Sequence, residues 1–301
     1  MAHENRHDTT PDTQGQAGPD RGPAKTGGRW STRLALVAVL LLVGAPIVYN
    51  QTPREVSRWY RAAATEHYLD GNLEAARQSL DKALEWSPDN GDVHLIRSAW
   101  EREAGNYSAA LEACERAEQA LGPSARVYLE RSQVYHHLGR WDDSLADWKK
   151  LSEEVDGASS NPVVLNGLAY ARALANKELA EGLADIERAI ERQGPNAAML
   201  DTRGYLHYRL GDFAAARKDV DQAVELQEKE LATASDEASQ VDRAAADARF
   251  VKRIQQERHR SLAVLRYHRL LVLEKQGETE AAEQERAKIK ELGFEANEQL
   301  F

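Results

Sequence analysis

The sequence lacks most of the features that support covalent or metal chemistry. A single cysteine, Cys114, occurs in 301 residues, so no disulfide can form within the chain. There is no Cys/His set at zinc-binding spacing, no glycine-rich phosphate loop and no HExxH motif. His136 and His137 are adjacent, but neighbours on a helix point about 100° apart and do not easily face one ion. We therefore predict no metal, no cofactor and no enzymatic activity, and a buried apolar role for Cys114.

Excess positive charge is also lacking. The chain has 39 Lys and Arg against 49 Asp and Glu, a formal net charge of -10. A broad nucleic-acid-binding surface needs the opposite balance, so we predict no nucleic-acid partner. From residue 55 onward alanine, leucine, glutamate and arginine dominate, which indicates an almost wholly helical protein.

Residues 1–29 contain no aromatic side chain and scatter glycine and proline among polar residues. Such a segment buries too little apolar surface to offset its ordering entropy, and we predict a disordered tail. Residues 34–49 contain no charge, and residues 30–50 predict one transmembrane helix with Trp30 and Tyr49 at its two interfaces. A cleaved signal peptide and a buried core helix are the alternatives. The basic residues around this span favour repeats outside the cytoplasm, on the periplasmic side.

A repeat with a fixed period follows the apolar run. Gly71, Gly105 and Gly139 are each 34 residues apart. The same interval links four more columns, which are Leu73, Tyr107 and Trp141; Ala76, Ala110 and Ser144; Leu80, Cys114 and Trp148; and Ala83, Ala117 and Leu151. A unit of helix, turn and helix at this period cannot bury its apolar face alone, so stacked copies are predicted.

These residues resemble the tetratricopeptide repeat (TPR) family. The likeness rests on three sets of residues: a small residue in the first helix (Ala64, Ser98, Ser132, Gly167, Gly204), a turn glycine (Gly71, Gly105, Gly139, Gly211, Gly277) and a second-helix alanine (Ala76, Ala110, Ala216, Ala282). Proline or glycine near the repeat ends completes the signature (Pro88, Gly122 with Pro123, Gly194 with Pro195). The resemblance covers residues 55–301 and implies an all-α, TPR-type α-solenoid of about six units.

Two irregularities interrupt the repeats. In the fourth unit, three extra residues separate Gly167 from Ala189, and the segment from Ala175 to Lys177 is predicted to replace the turn glycine. Residues 225–260 are polar and strongly charged, with no proline or glycine. We predict a helical extension of the fifth unit that returns into the sixth, either as a docking arm or as a solvated helix without a partner.

The resemblance also implies a concave groove, lined by the first helices, that receives peptides or partner helices. By register the groove residues are Arg58, Arg61, Arg102, Arg126, Gln133, His136, His137, Asp201, Tyr205, Tyr208 and Arg209. Arginine and tyrosine dominate interface energies, and Tyr205, Tyr208 and Arg209 are predicted to contact the partner. The competing interpretation is that these residues pair with carboxylates inside the groove, such as Glu130. Binding of chaperone C-termini is not expected, because Thr65, Ile96 and Glu130 stand where the family's clamp needs Lys and Asn.

The prediction is a membrane-anchored, non-catalytic TPR adaptor with a protein or peptide partner. It is similar to bacterial cell-envelope assembly factors that pair one N-terminal helix with a repeat domain. Two alternatives remain open: a structural protein that self-associates through the charged extension, and a regulatory subunit of an enzyme encoded nearby.

Overall fold

In the computed structural model, residues 52–240 and 248–297 are described. This part of the chain contains twelve α-helices, a short 3-10 turn at Ala158–Ser160 and no strand. The helices form six consecutive pairs: α1 (52–69) with α2 (Leu73–Trp86), α3 (Gly91–Glu103) with α4 (Tyr107–Leu121), α5 (Ala125–His137) with α6 (Trp141–Glu154), α7 (Pro162–Ala175) with α8 (Leu179–Gln193), α9 (Ala197–Leu210) with α10 (Phe213–Gln240), and α11 (Ala248–Gln276) with α12 (Thr279–Glu291). This arrangement is the all-α helical solenoid that the repeats predict.

The chain divides into two units, residues 1–56 and residues 57–301, and the repeats form the second. The predicted tail (1–29) and transmembrane helix (30–50) lie outside the described residues. Among the residues that are described, no helix combines the length and apolar character needed to cross a bilayer.

A left-handed residue ends the first helix in most of the pairs. Gly71, Gly105, Gly139, Gly211 and Gly277 have φ between 64° and 83°, a conformation that glycine adopts without a Cβ clash. Side-chain caps then start several of the following helices. Asn90 and Asn196, for example, accept hydrogen bonds from the backbone N–H groups of Val93 and Met199. Glycine at the end of one helix and a polar capping residue at the start of the next thus allow the sharp reversals between helices.

The fourth pair differs from the prediction. Its turn uses Asn176 and Glu178 at φ 54° and 50° in place of glycine. A Cβ on Gly182 would lie 3.6 Å from the Ala169 carbonyl oxygen, so Ala169 and Gly182 form this helix crossing. Gly167 instead faces the Trp148 ring of the preceding unit. The predicted insertion of three residues is therefore wrong. The two small residues at the helix crossing, Ala169 and Gly182, are 13 positions apart, whereas the equivalent Gly204 and Ala216 are 12 positions apart. The fourth unit thus has one extra residue between its two crossing positions.

Stacking between repeats buries one column of first-helix side chains. Five members of this column are between 0 and 8 % exposed: Val93, Val127, Val164, Met199 and Leu265. Trp59 has the same register in the first repeat and is 65 % exposed. At the other end, Leu292, Phe294 and Ala296 pack against the cluster of α11 and α12. Phe294 therefore folds back over the last helix pair.

A second column holds buried ion pairs within the repeats. Arg131 donates to both carboxylate oxygens of Asp147 at 2.7 and 2.8 Å. Sixteen residues also separate two equivalent pairs, Arg203 with Asp219 and Arg269 with Glu285. The acidic partners are only 2 to 4 % exposed, so each needs basic partners for charge compensation, and Glu285 is also paired with Arg266 at 2.8 Å.

The helices α10 and α11 are much longer than a repeat requires. They contain 28 and 29 residues, and the predicted extension (225–260) includes residues 241–247, which are outside the described part. Near the repeat, Leu226 and Leu231 of α10 pack against a cluster that includes Leu262 and Leu265 of α11. The base of the extension is thereby fixed to the fifth and sixth units.

Candidate partner-binding groove

Five first helices contribute side chains to one cavity of about 500 Å³. Its lining comes from α3, α5, α7, α9 and α11. The residues are Arg102, Gln133, His136, His137, Asn166, Gly167, Tyr170, Ala198, Asp201, Thr202, Arg260, Ser261, Val264 and Leu265. Because helices from five successive units meet here, the cavity is a property of the stacked array and of no single repeat.

Arg102 is held in place at one side of this cavity. Its Nε and Nη2 donate to Glu130 at 3.0 and 3.3 Å, and Glu130 also accepts from the Ser98 hydroxyl at 3.1 Å. Both charged side chains are less than one-fifth exposed. A planar guanidinium held by two bonds loses little further freedom when its remaining donors meet a ligand.

His137 lies at the mouth of the cavity and stacks on Tyr107 with ring centroids 5.6 Å apart. Partial desolvation lowers the pKa of His137 below its ordinary value, and the positive charges of Arg102 and Arg260 lower it further. Glu130 acts in the opposite direction but more weakly. The neutral imidazole is thus favoured, and two arginines from distant units, on α3 and α11, act on the same ring.

Amide and phenol groups supply the uncharged polar lining. The Oδ1 atom of Asn166 is buried and has no hydrogen-bond partner among the described residues. The neighbouring Gln133 is exposed on α5. Desolvation raises the pKa of Tyr170 well above its ordinary value, so its hydroxyl stays protonated. The cavity lining therefore contains both donors and acceptors, and Asn166 also holds a buried acceptor that has no partner among the described residues.

Beneath the cavity, a buried polar contact joins α9 to α11. The Nδ1 atom of His268 lies 2.8 Å from each carboxylate oxygen of Asp201. The Tyr205 ring stacks on His268 with centroids 4.3 Å apart. His268 and Asp201 are 1 % and 5 % exposed, so this contact stabilises the groove floor.

The structure brings five of the predicted groove residues to the cavity, namely Arg102, Gln133, His136, His137 and Asp201. Arg61 and Arg126 lie elsewhere, where both contact the carboxylate of Asp92. Arg58 is exposed on α1. The competing interpretation, pairing inside the groove, thus describes Arg61, Arg126 and Arg102, although Arg102 also lines the cavity.

The prediction that Tyr205, Tyr208 and Arg209 are presented to a partner needs correction. Tyr205 is 5 % exposed within the core, and Tyr208 is half-buried and stacks on it. The Nε of Arg209 donates to Asn176 at 3.1 Å, and its guanidinium lies over the Tyr205 ring. None of the three lines the cavity. The helix α11 packs against this part of α9, where His268 stacks on the Tyr205 ring.

Sequence reasoning missed Asn166, Tyr170 and Arg260. The assignment of Gly167 to the helix crossing misplaced the fourth unit, and the correct register puts Asn166 and Tyr170 where Asp201 and Tyr205 stand in the fifth. Arg260 was missed because it belongs to the charged extension, which was not expected to line the groove. Within the described ranges, no group of three or more His, Cys, Asp or Glu side chains is placed to hold a metal ion.

A tetratricopeptide repeat family model matches residues 59–90 and 197–230, the first and fifth units. A comparison with curated proteins finds no match. The family model thus covers 66 of the 301 residues, and the fold of the described residues is a TPR-type helical solenoid.

Solved structures with a similar fold cover most of the chain. PilW, a type IV pilus biogenesis factor, is 15 % identical with a TM-score of 0.54, over 78 % of this chain and 93 % of that chain. A tetratricopeptide repeat protein from Parabacteroides merdae is 15 % identical with a TM-score of 0.54, over 80 % and 94 %. PilF from Pseudomonas aeruginosa is also 15 % identical, with a TM-score of 0.51 over 80 % and 93 %. At this level of identity the likeness shows the fold alone.

Proposed function

We propose that this protein is a non-catalytic adaptor that binds an extended segment of a partner protein in the cavity between its first helices. The observation that carries the proposal is the polar cavity of about 500 Å³ that five first helices share, with the carboxamide residue Asn166 in its lining. The Oδ1 atom of Asn166 is buried without a partner among the described residues, at a cost of about 1–3 kcal/mol, and rotation of the carboxamide toward the cavity would let a ligand N–H group recover this cost. Main-chain amides of an extended segment supply such donors at every residue.

The uncharged lining favours a polypeptide over an apolar ligand. The carboxamides of Asn166 and Gln133 carry the same donor and acceptor pair as a peptide group. Tyr170 and His136, which stack with centroids 6.3 Å apart, provide ring surface between these polar groups. Such a mixture of rings and amides suits a segment with alternating side chains and main chain.

We further propose that residues 30–50 anchor the protein as a single-pass membrane protein, with the repeats on the periplasmic side. The uncharged run of residues 34–49 and the arginines near it support this assignment. An anchored adaptor would act in cell-envelope assembly. C-terminal fusions to one reporter active only outside the cytoplasm and one active only inside test the orientation, and activity of the second alone would reverse it.

The groove assignment is tested by site-specific photo-crosslinking in intact membranes. A photoreactive amino acid replaces Gln133, which lines the cavity, and in a matched control it replaces Glu115, which is exposed on the second helix α4. We expect a crosslinked protein adduct from position 133 that is missing from position 115. Identical adducts from both positions would exclude the groove as the binding surface.

The long pair of helices α10 and α11 favours one alternative, a structural protein that self-associates through this extension. Deletion of residues 229–258 separates the two functions. Self-association predicts that the full-length oligomer is lost on size-exclusion chromatography in detergent. The adaptor function predicts that the deletion leaves the oligomeric state unchanged.

A further inference from the structure

The sixth unit departs from the second, third and fifth units at the position where each of these three interrupts its helix. Pro88, Gly122 and Gly194 each stand 17 residues before the turn glycine of their repeat and lie between helices. The residue 17 positions before Gly277 is Arg260, which lies inside the continuous helix α11 (Ala248–Gln276). A residue that breaks the helix in other units is thus replaced by a helical arginine.

This replacement adds a wall to the groove. Arg260 and Ser261 both line the cavity, although they precede the part of α11 that has equivalents in the other first helices. Leu262 is 5 % exposed and packs in the cluster that joins α9, α10 and α11, so the position of Arg260 is fixed by the core next to it. The base of the extension is therefore part of the groove surface.

The charges around this wall favour an anion. Arg102, which is paired with Glu130, and Arg260 line the cavity together, and Asp201, the one carboxylate among the described residues of the lining, contacts His268. Arg102 and Arg260 each lower the pKa of His137 more than Glu130 raises it, which favours a positive potential near this ring. This local sign is opposite to the net charge of the chain, -10.

We propose that Arg260 and Arg102 form an anion subsite of the groove that takes a carboxylate of the partner segment. The inserted segment thereby sets a preference for acidic partner segments. This inference rests on the proposed adaptor function. A charge-assisted hydrogen bond from a guanidinium to a carboxylate is about twice as strong as a neutral one, so a single acidic side chain is sufficient to give a measurable preference.

The test uses the full-length protein in detergent and two fluorescein-labelled peptides of equal length, one alternating Glu and Ala and the other alternating Gln and Ala. Fluorescence anisotropy gives the two affinities. We expect the Glu peptide to bind about tenfold more tightly, as for one hydrogen bond to a charged group. Arg260→Gln is expected to remove this preference, and Arg260→Lys to retain part of it.

Arg258→Gln provides the matched control, because Arg258 is exposed on the same helix and does not line the cavity. Equal affinity of both peptides for the wild type would overturn the anion subsite and leave the adaptor function standing. No binding of either peptide would overturn the groove proposal and the subsite with it. An equal loss of preference in the Arg258 and Arg260 variants would also refute the subsite, since only general charge would then matter.

Discussion

Removal of the Asp147 carboxylate is expected to destabilise the solenoid more than any single change at an exposed ion pair. Arg131 and Asp147 are 8 % and 4 % exposed and share two hydrogen bonds. These bonds raise the pKa of the Arg131 guanidinium above its ordinary value, so the side chain stays charged. Asp147→Ala therefore leaves a buried positive charge that has lost its main partner.

The magnitude follows from what remains around Arg131. Breaking one side of a buried ion pair costs about 3–5 kcal/mol. Glu118 still accepts from Nη1 at 2.6 Å and is 31 % exposed, so part of the compensation survives. We therefore expect the low end of the range, about 3 kcal/mol.

The repeats supply a matched control. Arg97 occupies the same column in the second unit, but Ala113 stands at its partner position, and Arg97 instead contacts the exposed Asp81 at 3.2 Å. Asp81→Ala should cost less than about 1 kcal/mol. Urea unfolding of the full-length protein in detergent, followed by circular dichroism and tryptophan fluorescence, measures both. Equal losses for the two variants would refute the argument, as would failure of the double variant Arg131→Met, Asp147→Ala to recover stability.

Three further predictions concern single sites. Gly167→Ala places a Cβ 2.1 Å from the Trp148 ring and should lower the free energy of unfolding by about 1–3 kcal/mol; a higher urea midpoint would contradict it. Burial raises the pKa of the Cys114 thiol to about 11, so iodoacetamide should label it at pH 8 only after unfolding, and rapid labelling of the folded chain would show exposure. The lowered pKa of His137 means that the folded chain binds this proton less readily than the unfolded chain, so the contribution of His137 to stability falls as the pH drops below its ordinary pKa of 6.5. Arg260→Gln should raise that pKa in an NMR titration, and an unchanged value would contradict the proximity of the two groups.

The helix pairs were predictable because their determinants are local and periodic. A small residue in each helix and a left-handed glycine between them recur at 34-residue spacing, so the columns of Gly71 and Ala76 are visible without any long-range contact. The all-α solenoid was therefore predicted correctly. The fourth unit was not, because Gly167 and Ala169 are both small and only the position of the Trp148 ring decides between them.

The groove was harder to predict because register gives the face of a residue but not its neighbours. Tyr205 has the register of a groove residue, yet its ring stacks on His268, which is 63 residues later in the chain. That contact depends on the path of α11, and the path depends on the charged extension. Arg102 and His137 were predicted to line the groove and do so, since the helices that carry them belong to regular units.

The extension also shows how an insertion changes a repeat array without changing its fold. It consists of the end of α10 and the start of α11, and these two helices remain packed through Leu226, Leu262 and Leu265. The fifth and sixth units therefore stack on each other in the usual register. With a rise of about 1.5 Å per residue, the twelve steps from residue 248 to residue 260 extend about 18 Å beyond the groove wall. Among the described side chains of the extension, Arg260 is the one that lines the cavity. Substitutions at Arg260 should therefore act on partner preference, whereas deletion of residues 229–258 tests the self-association that the alternative function requires.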